Sequence, residues 1–220
     1  GASKGLGRAI CDRLTQKGID VFGLARNVDG LPFPATACDV TDASNVKEVA
    51  TKLRRDKTEV SGLINAAGIA SMNLTVTTPA EVAQKIVNTN LLGTIYGCQQ
   101  FAPLMIRHKQ GSIINFSTIA VALGLKGEAI YAASKAGVEG FSRAFAREMA
   151  DFNIKVNCIA PGPIDTDLIK GVSDKQIADI VSSQIIPKQY TPDAICDTVE
   201  LLLDGRGNAL SGQVFHIGGA

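Results

Sequence analysis

Short apolar runs alternate with segments of helical periodicity along this chain, and that alternation leaves few folds open to it. Residues 20–25, 62–65, 112–116, 155–159 and 213–217 read as strands, and a further brief strand ends at Cys38-Asp39-Val40. Helical stretches lie between them: from Thr41-Asp42-Ala43-Ser44 to about Arg55, from Pro79 onward, from Asn90 to near His108, after Tyr131, over 173–183 and over 192–203. Strands that alternate with helices pair in parallel, because each helix carries the chain back across the sheet. A parallel sheet is buried on both faces. The expected fold is therefore α/β, a doubly wound parallel sheet with helices on both faces.

The chain is long enough to bury a core of its own: 220 residues, 45% of them hydrophobic, suit one domain spanning 1–220. The formal charge is +1, from 22 basic and 21 acidic residues without a long run of either sign. That balance argues against a nucleic-acid or membrane-surface partner. No apolar stretch is long enough to span a bilayer and the start does not read as a signal peptide, so the expected location is the cytoplasm. Cys11, Cys38, Cys98, Cys158 and Cys196 are scattered without a Cys-x-x-Cys pair, which suits reduced thiols. With His108 and His216 the only histidines, no metal site is expected.

The chain opens on a glycine-rich turn, Gly1-Ala2-Ser3-Lys4-Gly5-Leu6-Gly7, that runs into an amphipathic helix. Glycines allow a tight turn and close approach to a phosphate, and a helix N-terminus offers unpaired N–H groups and a positive dipole end. Such a turn should follow a buried strand, and the chain begins at the first glycine, so the expected sheet lacks its first strand. At the end of the next strand stands Arg26, where an acidic residue would bond a ribose 2′-hydroxyl and an arginine accommodates a 2′-phosphate. Arg26, with Lys4 as a second cation, points to NADP. Asp39 and Val40 end a strand where ligands collect in open α/β sheets. After the strand 62–65, which ends at Asn65, the small residues Ala66-Ala67-Gly68 leave room for a flat ligand.

Tyr131 and Lys135 stand four residues apart in a helical run, so they share one helix face. A phenol titrates near 10, too high for ready proton transfer at neutral pH, and a nearby ammonium is expected to bring it down. The hydroxyls Ser117 and Thr118 follow the strand 112–116.

Taken in order, Gly1-x-x-x-Gly5-x-Gly7, Asn65-Ala66-Ala67-Gly68, Asn90, the hydroxyl after Phe116, Tyr131-x-x-x-Lys135 and Pro161-Gly162 resemble the short-chain dehydrogenase/reductase family over essentially the whole chain. The resemblance implies a single Rossmann-type domain, a nicotinamide cofactor, NADP(H), and a catalytic group of Asn90, Thr118, Tyr131 and Lys135. It makes Tyr131 the acid that protonates a carbonyl, and makes Lys135 the holder of the cofactor's ribose. Asn90 would organise a water near Lys135. The cofactor would meet the glycine turn, Arg26, Asp39, Val40, 65–68, Pro161, Gly162, Ile164 and Thr166. The hydroxyl thirteen places before Tyr131 is Thr118, which is preferred to its neighbour Ser117 as the group that polarises the carbonyl.

Within the family the chain resembles the 3-oxoacyl-[acyl-carrier-protein] reductase type, including its tail from Thr166-Asp167-Leu168-Ile169-Lys170 to Gly218-Gly219. A substrate loop at about 163–190 is implied, as is an acyl-thioester substrate on an acyl carrier protein. Of the two basic positions that such reductases use to dock the carrier protein, Lys109 fills one and Phe152 stands at the other. Other small ketones therefore stay open as substrates. So do an NADP-dependent alcohol dehydrogenase and a non-catalytic dinucleotide-binding module. Apolar residues of the helices from Asn90 and Tyr131 (Ile95, Phe101, Leu104, Phe141 and Phe145) are expected to pair subunits into a homodimer or homotetramer.

Overall fold

The computed structural model describes residues 1–166, 169 and 172–220. A glycine turn leads into α1 (Gly5–Gln16), followed by β1 (Gly23–Ala25), β2 (Ala35–Ala37), α2 (Ala43–Arg55) and β3 (Gly62–Asn65). Next come α3 (Ala80–Val87), a π-helical turn over Asn88–Leu92, α4 (Gly93–Ile106), β4 (Gly111–Phe116), the single turn α5 (Ala120–Leu123) and the long α6 (Ala129–Met149). The chain finishes with β5 (Ile154–Pro161), α7 (Asp174–Ser182), α8 (Pro192–Leu203) and β6 (Val214–Ile217). All strand pairing among the described residues is parallel: β1 with β2, and β3-β4-β5-β6 as a four-stranded sheet.

The core explains why the central strands read as unbroken apolar runs. Ile114 and Phe116 of β4 and Ile159 of β5 face α1 and α8, packing on Ile10, Leu14, Ile195 and Val199. Ile113, Ile154 and Val156 face the other way, onto Cys98 and Met105 of α4 and Phe145 and Met149 of α6. Neither face of a strand meets water, so period-two alternation has nothing to select it. A third cluster joins Val46, Val49 and Leu53 of α2 to Phe101 and Leu104 of α4.

Local chemistry sets the helix ends. The Asp42 side chain accepts from the N–H groups of Ser44 and Asn45, capping α2. Ser173 and Gln176 form a reciprocal capping box at α7, and Pro192 starts α8.

Two strands differ from the sequence reading. The expected strand 20–25 is paired only over Gly23–Ala25, with Phe22 40% exposed, and the strand expected to end at Val40 is paired only over Ala35–Ala37. Among the described residues β1 pairs with β2 alone. Val21, Leu24, Leu63 and Ile64 are among the residues that line a cavity of about 1010 Å³. The expected helices from Pro79 and from Asn90 are one continuous helical run, with Asn90 inside the π turn. Of the tail that carried part of the resemblance, Asp167, Leu168 and Lys170 lie outside the described residues, as does part of the expected loop 163–190.

Candidate active site

The glycine turn folds back onto the segment after β3. A Cβ on Gly1 would stand 2.7 Å from the Ala66 carbonyl oxygen, and one on Gly7 would collide with the Gly1 carbonyl. Gly5 has φ +57°, a conformation that L side chains resist, and Thr166 lies across it. Lys4 is the N-cap of α1 in an extended conformation with no side-chain cap, and no acidic residue occupies the first turn. The Lys4 side chain therefore leaves the first-turn N–H groups uncapped, as an anion site requires.

Arg26, immediately after β1, is exposed, and among the described residues no side-chain hydrogen bond or ion pair engages it. Its charge reaches the amino group of Gly1 and the carboxylate of Asp39. Asp39 itself is held below the usual carboxylate range, first by the Thr41 N–H and then by the Thr41 hydroxyl, at 2.9 and 2.8 Å. Val40 lies against Gly93, where an added Cβ would come within 2.9 Å.

Asn90 is fully buried and both ends of its amide are used. Its oxygen accepts from the Ile69 N–H at 2.9 Å, and its nitrogen donates to the Ile69 carbonyl at 2.9 Å and the Ser134 hydroxyl at 3.0 Å. It thereby ties the loop after β3 to α6. Asn90 Oδ1 and Lys135 Nζ flank Gly68, each within 3.5 Å of the place a Cβ would occupy.

Three residues on one face of α6 engage the end of β4. Lys135 Nζ donates to the Phe116 carbonyl at 2.8 Å, Glu139 accepts from the Ser117 hydroxyl at 2.6 Å, and Ser142 accepts from the Asn115 amide at 2.8 Å. Asn115 in turn accepts from Asn65 at 2.8 Å. Ser117 is thus committed to Glu139, whereas the Thr118 hydroxyl interacts with the Tyr131 phenol.

Tyr131 and Lys135 are both buried, 7% and 4% exposed, with Nζ 6.0 Å from the ring centroid. The electrostatics depart from the sequence reading. Burial pushes the phenol well above its ordinary value, the negative charge of Glu128 adds to that, and the Thr118 hydrogen bond opposes it. Lys135 does not bring the phenol down. Its ammonium is turned to the Phe116 carbonyl, and burial lowers it to about 8. At neutral pH the phenol is protonated, the form that can give a proton away.

Two other expected side chains are engaged inside the protein. The Asn65 side chain is directed at Asn115 and Cys98, and the Ile164 side chain packs in the core with Ile159 and Ile10. Pro161 ends β5, its carbonyl accepting from the Ile119 N–H at 3.0 Å. An added Cβ on Gly162 would collide with Gln184 Oε1, a buried oxygen with no donor among the described residues. Neither Gln184 nor Glu128 was readable as a site residue: Gln184 comes from a segment distant in sequence, and Glu128, three residues before Tyr131, gives no sign of its burial. Ser142 and Glu139 did leave a signal, seven and four residues beyond Lys135 on the same helical face. Among the described residues no group of three His, Cys, Asp or Glu could hold a metal ion.

Open parallel sheets take their ligands at the carboxyl ends of the strands, and this chain gathers its acid–base groups there. The class is an α/β oxidoreductase. The family model described as Enoyl-(Acyl carrier protein) reductase matches residues 1–219. A 3-oxoacyl-[acyl-carrier-protein] reductase of Bos taurus is 36% identical, covering 80% of this chain and 78% of its own. The 3-oxoacyl-[acyl-carrier-protein] reductase FabG of Escherichia coli K12 is 32% identical over 100% of this chain and 93% of its own. Among solved structures, ElxO with NADP bound superposes with a TM-score of 0.89 at 26% identity, covering 99% of this chain and 94% of its own. The ligand-free aldohexose dehydrogenase of Thermoplasma acidophilum gives a TM-score of 0.89 at 27% identity, covering 100% and 91%. The chain belongs to the short-chain dehydrogenase/reductase family.

Proposed function

We propose that this chain is an NADPH-dependent carbonyl reductase of the cytoplasm, one unit over 1–220, with a 3-oxoacyl thioester as its leading substrate class. The observation that carries the reading is the buried Tyr131–Lys135 pair, with its phenol neutral at pH 7 and Thr118 beside it. The curated relatives named as 3-oxoacyl reductases support the substrate class, and the neighbour with NADP bound supports the cofactor. The residues present fit that cofactor: an α1 N-terminus that the Lys4 side chain leaves uncapped, a glycine cradle that added Cβ atoms would fill, and Arg26 and Lys4 without acidic partners among the described residues.

In this reading the glycine turn, including Ser3 and Leu6, and the segment 65–68 hold the dinucleotide. Asp39 and Val40 border its adenine end, and Pro161, Gly162, Ile164 and Thr166 its other end. The cofactor, when bound, supplies the hydride. Tyr131 then gives its phenolic proton to the carbonyl oxygen, and Thr118 donates a hydrogen bond that draws charge onto that oxygen. Lys135 holds the cofactor's ribose and keeps a positive charge in the site, and Asn90 holds the loop after β3 against α6 while this happens. A neutral phenol favours this direction over alcohol oxidation, which needs the phenolate first. The test is NADPH consumption with a panel of ketones that includes a 3-oxoacyl thioester; a parent protein that consumes none with any of them overturns the reading.

A pH dependence follows. The Lys135 ammonium, lowered to about 8, keeps its charge below that pH and loses it above. Its support for an anionic cofactor goes with it, so kcat/KM for NADPH should fall as pH rises through about 8. A profile flat to pH 10 would contradict the role given to Lys135.

We also propose a homodimer or homotetramer built on α4 and α6. Phe101, Leu104 and Phe145 turn inward to the chain's own core, leaving half-buried Ile95 and Phe141, with Phe141 stacked on Phe145 at 5.2 Å. Self-complementary patches of this kind close into symmetric pairs. Light scattering at micromolar concentration should give at least twice the chain mass, and a monomer would refute it. Lys109 is the basic residue proposed to meet an acyl carrier protein.

A further inference from the structure

Beside the phenol lies a cavity of about 80 Å³. Its described lining is apolar, including Met72, Leu125, Ile177 and Ile180, except for Thr118, Tyr131 and Glu128. Thr118 and Tyr131 already have roles in the proposed reaction. Glu128 has none, and the structure gives it no other use. It is the N-cap residue of α6, yet its side chain caps nothing. The helix bond at that point is made by its main-chain carbonyl, which accepts from Ala132. No hydrogen bond or ion pair to its carboxylate exists among the described residues, and its charge acts on the phenol three residues away. Burial raises its carboxyl above the ordinary carboxylate range.

An acceptor-only group with no partner, half-buried in an apolar wall, is satisfied by whatever donor enters the cavity. We propose that Glu128 is a specificity-determining residue. It accepts a hydrogen bond from a neutral donor, a hydroxyl or an amide N–H, close to the reacting carbonyl, and it turns away substrates that are anionic there. This rests on the carbonyl-reductase reading and narrows it. A hydroxyketone qualifies, and a 3-oxoacyl thioester is not turned away, because the atoms beside its reacting carbonyl carry no charge. A free 2-oxo acid does not. The logic is that of any site built around a polar group: an analogue that leaves the group unpaired, or sets a like charge against it, is penalised far more than one lacking a methylene.

The test compares hydroxyacetone, butanone and pyruvate, ketones of matched size bearing a donor, no donor and an anion. NADPH consumption is followed with the parent, Glu128→Gln and Glu128→Ala, with thermal melting and the NADPH Kd as controls on folding. In the parent, kcat/KM should rank hydroxyacetone above butanone above pyruvate. Glu128→Ala should shrink the hydroxyacetone-to-butanone ratio at least about tenfold, chiefly through KM. Glu128→Gln keeps the shape and removes the charge, and should raise the pyruvate-to-butanone ratio by a similar factor. Ratios that stay at parental values in well-folded variants overturn the inference alone. A parent that consumes NADPH with none of the three, nor with a 3-oxoacyl thioester, overturns the carbonyl-reductase reading and this inference with it.

Discussion

Replacing Tyr131 with phenylalanine is expected to lower kcat by roughly 10²–10⁴-fold, the range for losing a general acid, with little change in folding or NADPH affinity. The ring stays and its packing stays. Only the hydroxyl goes, and its hydrogen-bonding side chain among the described residues is Thr118, itself a hydroxyl that can turn to another acceptor. Lys135→Ala should behave differently. Lys135 holds the Phe116 carbonyl at 2.8 Å inside the protein, so its loss leaves that oxygen unpaired and should weaken NADPH binding as well as rate. Measuring kcat and the NADPH Kd for both variants separates the roles. A Tyr131→Phe protein that turns over at the parental rate would end the mechanism proposed above.

The second large effect is on cofactor choice. Arg26 is exposed and has no acidic side-chain partner among the described residues, so its charge remains available to a 2′-phosphate, with Lys4 on the adjoining turn. The parent should therefore prefer NADPH to NADH. Arg26→Asp exchanges an attraction for a repulsion. At an effective dielectric of about 20 a contact pair of unit charges is worth on the order of 4 kcal/mol, and solvent reduces that at an exposed residue. A hundredfold or larger swing in the ratio of the two Kd values is expected, with NADH gaining because aspartate can accept from a ribose 2′-hydroxyl. Equal affinities of the parent for the two cofactors would refute the assignment.

How much of this could be read from residues alone varied with distance along the chain. The strand 62–65 and the helices 43–55 and 192–203 were legible nearly to the residue, because their burial pattern and caps are local. β1 was overextended because an apolar run does not reveal whether a strand has neighbours on both edges. The π turn around Asn90 was invisible, since one added residue in a helix leaves the surrounding periodicity almost unchanged. At the site, the spacing of Tyr131 and Lys135 correctly put them on one face. Their electrostatics were misread because spacing says nothing about depth, and depth is what raises the phenol and lowers the amine. Glu128 and Gln184 escaped notice for the same kind of reason: an ordinary acid and an ordinary amide become unusual only when distant segments close over them.

The three bonds between α6 and the end of β4 bear on positional accuracy. Residues 135, 139 and 142 are spaced by one and two turns, and their partners are 116, 117 and 115, so every bond is satisfied at a single axial setting. Moving the helix by one residue shifts it about 1.5 Å and rotates it about 100°, which would break all three together and strand buried polar groups at roughly 1–3 kcal/mol each. An apolar interface tolerates a slide by repacking and offers a broad range of nearly equal settings. This one offers a single seat. Tyr131 rides on the same helix, and its hydroxyl is therefore located in part by Glu139 and Ser142, eight and eleven residues away, which touch neither substrate nor cofactor.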